Sequence, residues 1–197
     1  MDVDTKLSAG LFEGKTILVT GGTGSFGGYF IDYLLDKKFK EIRVFSRDEL
    51  KQDNMRLRLQ NLKVKFYIGD VRDRSSVDDA MAGVDYVFHA AALKQVPTCE
   101  FFPKQAMQTN VIGSQNVIES AISNRVSKVV SLSTDKAVYP VNALGITKAL
   151  MEKVIQSTSR KLSESQTVLT LVRYGNVLFS RGSVIPLFRK QIQRKNS

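Results

Sequence analysis

The chain has 197 residues, of which 43 % are hydrophobic and 24 % charged, with a formal net charge of +10. That length carries one well-buried α/β domain and leaves no room for a second substantial one, and no apolar run approaches the roughly 20 residues of a membrane span. One cysteine, Cys99, and one histidine, His89, exclude an internal disulfide and a zinc-type cluster of Cys and His, so no metal is expected.

The first residues lack a signal-peptide core, which predicts a cytoplasmic protein. The positive charge suits an anionic partner, either nucleic acid or a phosphate-bearing small molecule. The lysines and arginines are scattered, few aromatics lie among them, and no nucleic-acid motif accompanies them. They read as solvated helix faces, and no nucleic-acid partner is expected.

Residues 1–14 show little pattern and are expected as a leader ahead of a single domain over 15–197. Ile17-Leu18-Val19-Thr20 is a short apolar run that leads into Gly21, Gly24 and Gly27, spaced by three, and then into an amphipathic segment over 26–38. Phe26, Phe30, Ile31, Leu34 and Leu35 share one face of that segment. The pattern predicts strand, tight turn and helix. The first glycine permits the sharp turn, the second lets a pyrophosphate approach bare backbone, and the third lets helix and strand pack closely. The helix would aim its N-terminal amides at the phosphates. Gly21, Thr23, Gly24, Ser25, Phe26 and Gly27 are therefore assigned to a dinucleotide.

A second strand, Glu41-Ile42-Arg43-Val44-Phe45-Ser46, ends at Ser46-Arg47. In a dinucleotide fold an acidic residue here would hold the ribose 2′-hydroxyl, whereas a small polar residue and an arginine receive a 2′-phosphate, so NADP is expected over NAD. A plain surface charge is the other reading of Arg47. Residues 48–59 form a charged helix with Leu50, Met55 and Leu59 as its apolar contacts. Val64-Lys65-Phe66-Tyr67-Ile68 is a third strand closed by Gly69-Asp70-Val71, where Asp70 either meets the adenine or caps a turn.

A short helix over 75–81 is followed by a fourth strand over 84–89 that runs into Ala90-Ala91-Ala92. These small residues would let a ribose and nicotinamide lie against backbone. His89 itself reads as a structural residue at a strand end. Beyond it the pattern gives a long helix over 103–124, a strand over 126–133, a helix over 142–159, a strand over 167–174 and a helix over 184–193. Strands alternating with helices predict right-handed βαβ crossovers and a doubly wound parallel sheet, with ligands gathered at the carboxyl ends of the strands.

The fifth strand ends in Ser131-Leu132-Ser133-Thr134-Asp135-Lys136-Ala137. A hydroxyl, a carboxylate and an amine in succession on a strand end beside a cofactor make an acid/base set. Without the cofactor motif the same residues would read as a helix-capping turn.

Through Thr20 to Gly27, Gly69-Asp70-Val71, His89-Ala90-Ala91-Ala92 and Lys148 the chain resembles the extended short-chain dehydrogenase/reductase family, with its Rossmann fold. The segments HAAALKQVP from His89, CEFFP from Cys99, STDKA from Ser133 and RYGNVLFSRGSVIP from Arg173 are similar to the inverting UDP-N-acetylglucosamine 4,6-dehydratases of capsule and surface-polysaccharide synthesis. The resemblance runs from Gly14 onward. It implies oxidation of the sugar at C4 by NADP, loss of water across C5 and C6, return of the hydride to C6, and reprotonation of C5 from the opposite face.

Within that resemblance Lys136 matches the base for the C5 proton, Asp135 the acid for the departing C6 hydroxyl, and Thr134 the hydroxyl beside the sugar 4-oxygen. Lys148 matches the lysine that holds the nicotinamide ribose. Asn176, Arg181, Ser183 and Val184 match positions that meet the UDP-sugar. Val71, Lys94, Tyr174 and Asn176 join the cofactor set, and Lys94 the sugar set as well. Most of the superfamily has tyrosine four residues before the lysine, where this chain has Leu144; the capsular branch also has an apolar residue there. Family members continue into a seventh strand and a smaller lobe that grips the nucleotide, so the chain is expected to be the cofactor half of such an enzyme, with the substrate lobe largely missing. A homo-oligomer is expected, with the helices 103–124 and 142–159 as contact surfaces. Two rivals are a UDP-sugar 4-epimerase and a non-catalytic NADP-binding module.

Overall fold

A computed structural model describes residues 10–163, 166–177 and 184–195. Six strands form one sheet: β1 (Thr16–Thr20), β2 (Glu41–Ser46), β3 (Val64–Ile68), β4 (Tyr86–His89), β5 (Lys128–Leu132) and β6 (Val168–Val172). Their order is β3-β2-β1-β4-β5-β6, and every neighbouring pair is parallel. The order reverses between β1 and β4, which opens a crevice at their carboxyl ends, as expected of a doubly wound sheet.

The helices are α1 (Ser25–Leu35), α2 (Glu49–Leu59), α3 (Arg74–Met81), α4 (Val96–Phe101), α5 (Pro103–Met107), α6 (Gly113–Ser123), α7 (Ala143–Ser159) and α8 (Val184–Lys195). A π-helical turn, Gln108–Ile112, joins α5 to α6, and a 3₁₀ turn, Asp135–Ala137, follows β5. Among the described residues no helix is long and apolar enough to cross a membrane.

Side chains alternate across a strand, so β1 serves two cores. Ile17 and Val19 pack with Ile31 and Leu34 of α1, Ile42 and Val44 of β2 and Met55 of α2. Leu18 faces the other way, onto Phe45, Val87, Val77 and Ala80 of α3, and Val117 and Ala121 of α6. All five residues of β1 are buried, as a central parallel strand covered on both faces requires. A third cluster joins Ile118 of α6 to Met151 and Ile155 of α7 beneath Leu169 and Leu171 of β6.

Three expectations need correction. Within the expected leader, Phe12 is only 6 % exposed and packs against Tyr86 and Phe88, so this one side chain joins the core. Leu50 is 70 % exposed, because the inward stripe of α2 runs through Gln52, Met55 and Leu59 at helical spacing while Leu50 and Leu57 face outward. The first helix stops at Leu35 and not at residue 38, since the chain must turn back for the Lys40 amide to donate to the Lys15 carbonyl (3.0 Å) and enter β2.

His89 is the structural residue expected. It is buried, with Nδ1 2.7 Å from Thr20 Oγ1 and Nε2 2.8 Å from Ser114 Oγ. Ser114 spends its one proton on the Asn110 carbonyl (2.7 Å), so Nε2 carries the ring hydrogen and Nδ1 accepts from Thr20. Burial, with a smaller contribution from the Lys148 charge, pushes the imidazole down to about 3 and keeps it neutral. The unfolded chain protonates this ring near its ordinary value of 6.5, so its contribution to stability is complete above that pH and is lost as pH falls toward 3. Because the chain has one histidine, urea unfolding between pH 6.5 and 5 should show a loss of about 1–2 kcal/mol that His89→Gln flattens.

Candidate active site

The crevice at the carboxyl ends of the strands holds a cleft of about 900 Å³. Its floor at β1 is backbone against backbone. Gly21 has φ +66°, and a Cβ there would lie 2.8 Å from the Ala91 amide nitrogen and 2.9 Å from the Ala90 carbonyl carbon. A Cβ on Gly27 would lie 2.6 Å from both the Gly21 oxygen and Gly22 Cα. The turn therefore has room for main chain only. Gly24 offers no side-chain acceptor at the start of α1, whose positive dipole end faces the cleft lined by Gly24, Ser25 and Phe26.

These features fit a dinucleotide: a cradle that any side chain would fill, an uncapped helix start, and space for two nucleosides. Thr23, Ser46, Arg47, Asp70, Val71, Ala90, Ala91, Ala92 and Lys94 line the same cleft. Ser46 is held by the buried Gln52, whose Nε2 donates to the Ser46 carbonyl (3.0 Å) and hydroxyl (3.1 Å). Arg47 donates to Asp70 at 3.3 Å, and Arg72 grips the same Asp70 Oδ2 through Nε (2.9 Å) and Nη2 (2.6 Å). Burial raises the Asp70 carboxyl, but the bonds from Arg72 and the charges of Arg72 and Arg47 outweigh it and hold it below its ordinary value. Asp70 thus anchors the arginine that the sequence offered to a 2′-phosphate.

On the opposite wall the end of β5 carries Thr134, Asp135 and Lys136. Thr134 Oγ1 donates to Asp135 Oδ1 at 2.8 Å, and Lys136 Nζ donates to the same oxygen at 3.1 Å. Lys136 also reaches Asn176 Oδ1 at 3.4 Å, and the Asp135 amide donates to the Tyr174 carbonyl at 3.1 Å. Bonds from Thr134 and Lys136 hold the Asp135 carboxyl below its ordinary value. Thr134, Lys136, Tyr174 and Asn176 line the cleft, whereas Asp135 touches it only through its partners. Phe26 stacks on Tyr174, with ring centroids 6.4 Å apart and planes 13° off parallel, which ties the start of α1 to the segment after β6.

Lys148 enters from α7. Its ammonium is buried and donates to the Leu132 carbonyl at 2.8 Å. Burial pushes it down to about 8, against the opposing pull of the Glu152 carboxylate. Leu144, one turn earlier, is buried against Cys99 and Ala106 and presents only carbon to the cleft.

Two features escape sequence reasoning. The helix expected over 103–124 is interrupted by the π turn between α5 and α6, and the short α4 that precedes it was not expected. The π turn aims buried Asn110 at the loop after β4: its Oδ1 accepts from the Leu93 amide (2.9 Å), and its Nδ2 donates to the Leu93 carbonyl (3.0 Å) and Thr147 Oγ1 (3.1 Å). The second is Glu152, buried beneath Ser133; its spacing of four from Lys148 was the available signal. Arg181 and Ser183 lie outside the described residues, as does the side chain of Val184. Among the described residues no cluster of His, Cys, Asp and Glu is arranged to hold a metal ion.

The family pattern described as polysaccharide biosynthesis protein matches residues 17–197. A protein of Rickettsia akari named UDP-glucose 4-epimerase is 60 % identical over 188 residues, which are 93 % of this chain and 55 % of that protein. The chain thus spans about half the length of the curated relatives it matches. The solved structure of Pen from Bacillus thuringiensis is 44 % identical with a TM-score of 0.90, over 93 % of this chain and 56 % of Pen. The dTDP-glucose 4,6-dehydratase DesIV of Streptomyces venezuelae, solved with NAD and TYD bound, shares the fold at 24 % identity and a TM-score of 0.81, over 91 % of this chain and 62 % of DesIV. Sequence pattern, sheet order and cleft agree, and the chain belongs to the polysaccharide biosynthesis protein family.

Proposed function

We propose that the chain carries the coenzyme cleft and acid/base set of an NADP-dependent UDP-N-acetylglucosamine 4,6-dehydratase that inverts C5, in the synthesis of capsule or other surface polysaccharide. The observation that carries this reading is that Thr134 and Lys136, both bonded to Asp135, line the cleft that begins at the Gly21–Gly27 cradle, with Leu144 in place of a proton-accepting tyrosine. A nicotinamide coenzyme supplies the acceptor and donor of hydride.

The residues would divide the remaining work. Gly21, Thr23, Gly24, Ser25 and Gly27 cradle the pyrophosphate, and Ser46 and Arg47 meet the 2′-phosphate. Asp70 and Val71 border the adenosine, Ala90 to Ala92 leave room for ribose, and Lys148 donates to ribose hydroxyls. Thr134 donates to Asp135 and accepts from the Lys136 amide (3.4 Å), which leaves it one lone pair to accept from the sugar 4-hydroxyl. The proton of the 4-hydroxyl would pass through Thr134 to Asp135, whose carboxylic acid then protonates the departing C6 hydroxyl, while Lys136 as the neutral amine takes the C5 proton. Lys94 and Asn176, with Arg181, Ser183 and Val184, would hold the UDP-sugar. A homo-oligomer is part of the proposal, supported by the exposed Ile112, Ile146 and Leu150 on the helices expected to meet a second copy.

The names of the 60 % identical relatives favour a second reading, a UDP-sugar 4-epimerase, which uses the cradle and Thr134 but needs no acid at C6. Incubation with UDP-N-acetylglucosamine separates the two: a 6-deoxy-4-keto sugar is expected, and a 4-epimer alone overturns the dehydratase. Lys136→Met should keep coenzyme affinity within twofold while lowering product formation by about 10²–10⁴. Gly27→Ala, whose methyl would meet the Gly21 oxygen, should abolish coenzyme binding in calorimetry.

A further inference from the structure

Beneath the cleft, Glu152 of α7 joins three elements. Its side chain is 4 % exposed. Ser133 Oγ, on the residue before Thr134, donates to Oε1 at 2.5 Å, and Arg173, just after β6, donates through Nε to Oε1 (2.9 Å) and through Nη2 to Oε2 (2.6 Å). The Ser133 amide donates to the Val172 carbonyl at 2.7 Å, which closes the ring of contacts between β5 and β6. One turn earlier on the same helix, Lys148 donates to the Leu132 carbonyl.

We infer that Glu152 is a positioning residue, which locks the strand end carrying Thr134, Asp135 and Lys136 and the segment carrying Tyr174 and Asn176 to the helix that presents Lys148, and holds Lys148 as an ammonium for the coenzyme. The inference rests on the coenzyme reading above. An ordinary buried ion pair would join two elements and leave the cleft unaffected. Here the carboxylate opposes the loss of charge from a lysine that burial drives toward neutrality. The titratable and charged groups around Lys148 are His89 on β4, which is neutral, Glu152 on its own helix, and, beyond Glu152, Arg173 after β6. Arg173 offsets part of the Glu152 charge, so the two side chains act on Lys148 with opposite sign.

Calorimetric titration of the protein with NADP+ and NAD+ from pH 6 to 9 tests this. Wild-type affinity should fall as pH rises through about 8, where Lys148 loses its proton. Glu152→Gln keeps the shape and removes the charge; binding should be roughly 3- to 10-fold weaker at pH 8 and within twofold of wild type at pH 6. Arg173→Met removes the opposing cation and should move the fall to higher pH. It carries the test if Glu152→Gln does not fold, because Arg173 is half exposed. Falls at the wild-type pH in both variants overturn the inference while leaving the coenzyme reading intact. Absence of binding by the wild type overturns that reading and the inference with it.

Discussion

Main chain packed directly on main chain at the carboxyl end of β1 is the constraint on which the site depends. With Gly21 touching Ala90 and Ala91, and Gly27 touching Gly21 and Gly22, the turn is fixed from two sides by atoms that cannot yield. The start of α1 therefore stands at a set distance from the loop after β4, and a cleft opens between them. A side chain at either glycine would have to be accommodated by moving a central strand or a helix, not a rotamer.

Around this contact the polar interior is organised as continuous chains of bonds. One runs from the Ala91 amide and Thr20 through His89 and Ser114 to the Asn110 carbonyl, and Asn110 then fastens Leu93 and Thr147. Another runs from Arg173 through Glu152 to Ser133. Both lie directly under residues that line the cleft. Buried polar groups satisfied in this way favour one arrangement of the strand ends over its neighbours, since any slip leaves a donor or acceptor unpaired.

Much of this architecture is legible in the order of residues alone. Apolar alternation in β1 and the glycine spacing after it locate the cradle, and STDKA at the end of a buried strand locates the acid/base set we propose. The hidden part depends on contacts distant in sequence. Leu50 looks like a core residue because a leucine in a charged helix usually is one, but the turn of α2 over β2 selects Gln52, Met55 and Leu59 instead. Phe12 carries no periodic signal, since a single aromatic that caps a sheet has no repeat to belong to. The roles of Asp70 and Glu152 depend on arginines at a distance in the chain, Arg47 and Arg173, and no local pattern pairs them.

The π turn at Gln108–Ile112 has a consequence for how this region can vary. A π turn contains one residue more than the α-helix that would replace it, and that surplus rotates everything on its amino side by about 100° relative to α6. Loss of any single residue between 108 and 112 would restore a regular helix and swing the Asn110 carboxamide away from Leu93. Away from Asn110, length at this point is therefore held more tightly than identity: conservative replacements along the turn are tolerable, while a one-residue gap would unfasten the loop after β4.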